Sequence, residues 1–209
     1  MEKSYEKLFK LALLLSSLTI IFNLLEGLVS IYFGYHDETL TLFGFGIDSF
    51  IEVMSATGIY VMIKRIINNP GSSKNKFEIT SLKITGISFY LLSIGLLLSV
   101  IVNLYYGAKP KTTFPGVIIA LISIGSMLLL IYGKLYAGRK LNSAPIIADA
   151  SCTKACVYMS IVLLASSLIY ELTGLSYIDS IGTLGIIYFS VKEGREAMEK
   201  AKGIDTCSC

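Results

Sequence analysis

The chain has 209 residues, 54% of them hydrophobic and 16% charged, with a formal net charge of +3 and a mean hydropathy of +0.68. Soluble domains carry about 25% charged residues, so this composition excludes a disordered chain, a disulfide-stapled secreted scaffold and a nucleic-acid binder driven by a basic face. A membrane helix takes roughly 20 residues, and this length holds six such helices, short loops and little else. The expected class is an all-α, polytopic membrane protein.

In chain order, residues Met1 to Lys10 are polar and basic, and an apolar stretch follows from Leu11 to Phe33. That stretch is longer than the ~7–15-residue core of a cleaved signal peptide, so it reads as a retained first span. Hydropathy predicts six spans, at about 9–34, 39–66, 81–107, 115–138, 144–173 and 176–195. Breakers occupy the gaps: His36-Asp37-Glu38, Asn68 to Ser73, Gly107 to Pro115, and Gly174. Residues 1–202 form the expected transmembrane domain and 203–209 a short tail. Lysine and arginine collect on cytoplasmic flanks. With the N-terminus inside, 15 of the 18 fall on that side, Lys134, Arg139 and Lys140 around the end of the fourth span among them. Two, Lys109 and Lys111, fall outside, and Lys154 lies within a span. Both termini are therefore expected in the cytoplasm.

A charge at mid-bilayer costs ~2.5–3.5 kcal/mol, so ionisable residues there face a partner, a cavity or a substrate. The predicted spans hold Glu26, Asp48, Glu52, Asp149, Lys154 and Asp179. Acids outnumber the base, and a cationic substrate would balance them. Asp48 and Glu52 are four apart and share one helix face, and Cys152 and Cys156 repeat that spacing on the fifth span. Two helices that each offer an i, i+4 ligand pair can enclose a four-coordinate metal. A mixed oxygen and sulfur set suits a borderline transition metal, zinc first. Asp149, one turn before Cys152, lies on a neighbouring line. Each pair also has a bland reading, since buried cysteines are small packing residues in most helices. Lys154 is about 200° around the helix from the cysteines and is expected to pair with Glu26 or Asp179. Asn23 and Glu26, a turn apart, read either as an entry or supporting pair or as structural hydrogen bonding. His36 reads as a solvated loop residue. Cys207 and Cys209 read either as a capture site for a soft metal or as a terminus with no role. Gly44 and Gly46 would admit a close neighbouring helix.

These residues resemble the cation diffusion facilitator family of metal transporters. Asn23-Leu-Leu-Glu26-Gly27 with Gly34 resembles its first helix, and Leu42-Phe-Gly-Phe-Gly46-Ile-Asp48-Ser49-Phe-Ile-Glu52 its second. Ser143, Ala148-Asp149-Ala150-Ser151-Cys152 and Cys156 are similar to the fifth helix, and Tyr177-Ile-Asp179-Ser180-Ile181-Gly182 to the sixth. Spans 3 and 4 match by hydropathy alone. The resemblance places the transport site on Asp48, Glu52, Cys152 and Cys156, with Asp149 just outside the metal's direct ligands. The family's usual pairs are His or Asp with Asp on the second helix and His with Asp on the fifth. Here they are Asp/Glu and Cys/Cys, so the site differs from the common zinc site. Few residues follow the sixth span, which predicts a member without the family's C-terminal cytoplasmic domain.

The resemblance implies alternating access, with a zinc-like or softer divalent ion such as cadmium leaving the cytoplasm across the plasma membrane in exchange for protons. Two carboxylates and two thiolates total −4 around a +2 ion, so some of them carry protons when the metal is absent. No cofactor and no enzymatic activity are expected; the partners are the metal ion, protons, the lipid bilayer and a second copy in a homodimer through the membrane helices. The rival readings are a non-transporting metal-binding scaffold or sensor, a thiol oxidoreductase and an organic-cation carrier. No CxxC motif supports the oxidoreductase. Tyr105, Tyr106, Tyr132 and Tyr136 lie near span ends, as in an interfacial belt rather than an organic-cation site.

Overall fold

A computed structural model describes residues 2–36, 40–68, 74–106, 114–173 and 178–203. Six helices account for nearly all of them: α1 Glu2–His36, α2 Leu40–Asn68, α3 Lys74–Tyr106, α4 Phe114–Leu141, α5 Ala144–Thr173 and α6 Ile178–Ala201. No strand occurs among the described residues. Every backbone donor and acceptor inside a helix is satisfied within that helix, the requirement for crossing a hydrocarbon slab. By length and composition, four helices can cross: α1 over Glu6–Phe33, α3 over Lys76–Val102, α4 over Gly116–Leu141 and α5 over Ala144–Val162. The other two are α2, which carries Asp48 and Glu52, and α6, whose second half is rich in Lys and Glu. The protein is an all-α membrane bundle.

Polarity is arranged as lipid immersion demands. Leu14, Ile21, Leu25, Leu28, Leu97, Leu129 and Leu172 face outward, and so do Tyr105, Tyr132 and Tyr136. The interior holds serines, threonines and charged groups as well as apolar side chains. Between membrane helices the lipid gives no hydrophobic drive, so close approach of small residues and buried hydrogen bonds set the packing. α1 lies along α2, α3 along α6 and α4 against α5, while α2 also meets α3 and α5.

Two glycine pairs mark the tightest crossings. A methyl on Gly46 would meet Ile31 at 2.7 Å and the Gly27 carbonyl oxygen at 2.9 Å; one on Gly27 would meet Phe50 at 2.9 Å and the Gly46 carbonyl at 3.1 Å. Gly86 of α3 and Gly194 of α6 face each other in the same way: a methyl on either would lie 3.3–3.4 Å from the other's carbonyl oxygen. Gly44, also expected to admit a helix, has nothing within 4 Å of such a methyl.

The α4–α5 connection is short. Helix α4 runs to Leu141, three residues past its expected end, and Asn142 then turns with φ 48°. The Ser143 amide donates to the Gly138 carbonyl at 2.9 Å and the Asn142 amide to the Arg139 carbonyl at 3.2 Å. That pair of bonds is a Schellman cap with asparagine in the left-handed position. The Ser143 carbonyl then accepts from Ile147, starting α5. This hairpin lays the last two turns of α4 beside the first turns of α5.

Candidate metal centre

At the centre of the bundle, α2 and α5 bring their i, i+4 pairs together. Asp48 is 3% exposed, Glu52 0% and Cys156 1%. The Cys156 thiol lies 2.9 Å from Asp48 Oδ2 and 2.8 Å from Glu52 Oε2. One thiol carries one proton, so it donates to a single carboxylate oxygen at a time. Two carboxylates and a thiol this close need either a further proton among them or a cation in their midst. Glu52 turns its other oxygen away from this trio: Oε1 accepts from the Thr153 hydroxyl and lies 3.7 Å from Lys134 Nζ.

Cys152 is equally buried but points differently. It packs in a cluster with Phe89, Leu92, Leu96, Ala155 and Ile186, between α3, α5 and α6. It remains within electrostatic reach of Glu52, Asp149 and Asp48. Of the four ligands expected from the sequence, three are thus joined through the Cys156 thiol and the fourth lies one turn away on an apolar face. Among the described residues, no set of three or more His, Cys, Asp and Glu side chains is arranged as a ready metal cage; the trio closes on itself instead.

Asp149 anchors a second polar network. Ser55 donates to its Oδ1 at 2.7 Å and sits 3.0 Å from Thr85. Ser55 has spent its only proton on Asp149, so Thr85 is the donor to Ser55. Asp149 Oδ2 faces the Lys134 ammonium, whose Nζ is 2.9 Å away. Lys134 also donates to Thr153 Oγ1 at 2.8 Å.

Two lysines exchange the roles the sequence suggested. Lys134, placed on the cytoplasmic flank, is 2% exposed and pairs with Asp149 and Glu52. Lys154, placed inside as the buried base, is half-buried and makes no ion pair among the described residues. Its expected partner Glu26 accepts instead from Ser49 Oγ at 3.0 Å. The physical reason is register. The buried positions of α4 run Ala120, Ser123, Met127, Leu130, Ile131, Lys134, Ala137 and Leu141, a helical stripe with Lys134 in its middle. That periodicity was the signal available in the sequence; the nearby Arg139 and Lys140 masked it. Moving Lys134 off the flank lowers the one-sided tally from 15 to 14 and leaves its sign unchanged.

Glu26 and Asn23 are both buried on α1, and Asn23 Nδ2 donates to the Thr19 carbonyl. Asp179 belongs to the first turn of α6, with its side chain outside the description. Cys207 and Cys209 lie outside the described residues. His36 is exposed at the end of α1.

A cavity among the described residues borders the trio. It measures about 80 Å³, is lined mainly by apolar side chains, and touches Asp48 as its only acidic wall residue. Gly44 and Phe45 from early α2, Leu92 to Ser99 from late α3, Met159 and Val162 from α5, and Thr183 and Ile186 from early α6 surround it. Toward the opposite end, Ala12, Ile59, Met62, Ile63, Ala137, Leu141 and Ile146 pack into a continuous apolar cluster. Helices α2 and α5 thus carry the cavity on one side of the trio and the apolar cluster on the other.

Comparison with known proteins decides the family. The model of the cation efflux transmembrane domain matches residues 13–202, helices α3 and α4 included. The chain belongs to the cation efflux family. The resemblance carried by the first two and last two helices therefore extends along the whole bundle. What the match covers is the family's transmembrane domain. It is also 28% identical, over 174 residues, to a protein of Methanocaldococcus jannaschii described as an uncharacterized transporter. That match takes in 81% of this chain and 60% of the relative, so the chain spans well under two thirds of the relative's length.

Proposed function

We propose that this cation efflux protein carries a divalent transition-metal ion of the zinc class, cadmium included, by alternating access coupled to protons. The observation that carries the reading is the contact of Asp48, Glu52 and Cys156 across α2 and α5 in a family of cation transporters. Donors on one tetrahedral zinc sit about 3.5 Å apart, given Zn–S near 2.3 Å and Zn–O near 2.0–2.2 Å. The trio, at 2.8–2.9 Å, needs to open by roughly half an ångström to admit the ion. Cys152, one turn along α5, supplies the fourth donor after leaving its apolar cluster. Sulfur binds as thiolate, so the ion's arrival expels protons from the pocket and their return expels the ion.

The basic flanks support both termini on the cytoplasmic side of the membrane, and membership of the cation efflux family supports efflux as the direction. The deciding experiment is uptake of a panel of divalent ions by the reconstituted protein with luminal pH recorded. Zinc or cadmium flux with opposed proton movement, lost in Asp48→Asn, is the expected result. Binding without flux would favour a metal-holding scaffold, and no binding would remove the ligand assignment.

A further inference from the structure

The described residues bury four acids, Glu26, Asp48, Glu52 and Asp149, and one base, Lys134. That base comes from α4, which contributes no expected ligand. Its ammonium lies 2.9 Å from Asp149, 3.7 Å from Glu52 and 2.8 Å from Thr153 Oγ1. Thr153 in turn donates to the same Glu52 oxygen that the ammonium faces. Glu52 is therefore shared: one oxygen belongs to the lysine network, the other to the trio with Cys156 and Asp48.

We propose that Lys134 is a tethered counter-cation that sets the affinity of the transport site, holding Glu52 in the metal-free protein and yielding it to an arriving divalent ion. The inference rests on Glu52 being a metal ligand, as read above. A lysine ammonium and a divalent ion cannot both sit against one small carboxylate cluster without strong repulsion, because like charges a few ångströms apart in a poorly polarisable interior repel steeply. The 3.7 Å contact to Glu52 is the looser of the two ion pairs, and the contact to Asp149 is the tighter. Asp149 gives the ammonium a place to stay when Glu52 turns to the metal, and Ser55 and Thr85 hold Asp149 in place. The lysine remains charged throughout; only its partner changes. When the ion leaves, the ammonium again faces Glu52 and offsets part of the buried negative charge. Helix α4 thereby senses occupancy of a site built on α2 and α5.

The chemistry predicts opposite effects at the two ends of the ion pair, which a purely structural role does not. Zn²⁺ binding to the full-length protein in detergent is measured by titration calorimetry, with zinc flux in proteoliposomes alongside. Lys134→Met, or Lys134→Gln if the first fails to fold, removes the competing charge: the dissociation constant falls by about tenfold or more and maximal flux falls with it. Asp149→Asn strands the ammonium on Glu52, and zinc binding weakens by about tenfold. Combining Lys134→Met with Asp149→Asn restores tight binding. Wild-type protein that binds no zinc would overturn the ligand reading and this inference with it. Zinc binding by the wild type with unchanged or weakened affinity in the Lys134 variants, or unchanged or tightened affinity in Asp149→Asn, would overturn the inference and leave the ligand reading standing.

Discussion

Cys152 and Cys156 have the same side chain, the same helix and nearly the same burial, and their surroundings differ. Cys156 contacts both carboxylates, while Cys152 packs against Phe89, Leu92 and Ile186. Zinc binding to Cys156→Ala is expected to weaken by at least about tenfold, roughly 1.4 kcal/mol, and by less in Cys152→Ala, where the lost donor must first leave its packing. Calorimetry on the two purified variants checks the ranking, and an equal loss in both would show that the thiols engage the ion equally. The sequence alone ranks the two cysteines together, because i, i+4 spacing puts them on one helix face. That face is wide enough to look toward α2 at one end and toward α3 and α6 at the other. The Asp48 and Glu52 pair was legible because nothing except a ligand or a partner accounts for two acids in an apolar helix. Lys134 was not, because a lysine seven residues from a helix end suits a snorkelling flank as well as a buried site, and only the stripe of small and apolar neighbours separates the two.

Between helices, the contact of α1 with α2 sets where Asp48 and Glu52 stand, and Gly46 and Gly27 make that contact possible. Gly46→Ala would drive a methyl into Ile31 and the Gly27 carbonyl, with overpacking on the order of 1–3 kcal/mol. Gly44→Ala meets open space and removes a helix-weakening glycine, so its stability is expected to match or slightly exceed the parent's. Thermal unfolding in detergent separates the two; a lower midpoint for Gly44→Ala than for Gly46→Ala would contradict the assigned crossing. The number, order and approximate bounds of the helices could be read from hydropathy, which reports immersion in lipid. Which helices touch could not, because apolar faces toward lipid and toward protein look alike in composition. The Gly pairs signal close crossings without naming their partners.

Across the whole bundle, the cavity beside Gly44, Leu96 and Thr183 touches Asp48, and the cluster of Ala12, Ile59, Ile63, Ala137 and Ile146 packs on the far side of the trio. Alternating access requires these two ends to exchange roles, so residues now buried in the cluster must become wetted in the opposite state. The cluster joins α1, α2, α4 and α5, and the cavity wall joins α2, α3, α5 and α6. A rocking of α1 and α4 relative to α3 and α6 would therefore open one end as it closes the other. Ile63→Cys and Thr183→Cys, each introduced singly, report this with a membrane-impermeant maleimide in proteoliposomes of known orientation. With protons high and no metal, Thr183→Cys reacts and Ile63→Cys does not. During zinc turnover Ile63→Cys gains reactivity from the other side of the membrane while Thr183→Cys loses it. Reactivity at Ile63→Cys that ignores zinc and pH alike would mean that the seal never opens, and the pocket would then bind its ion from one side only.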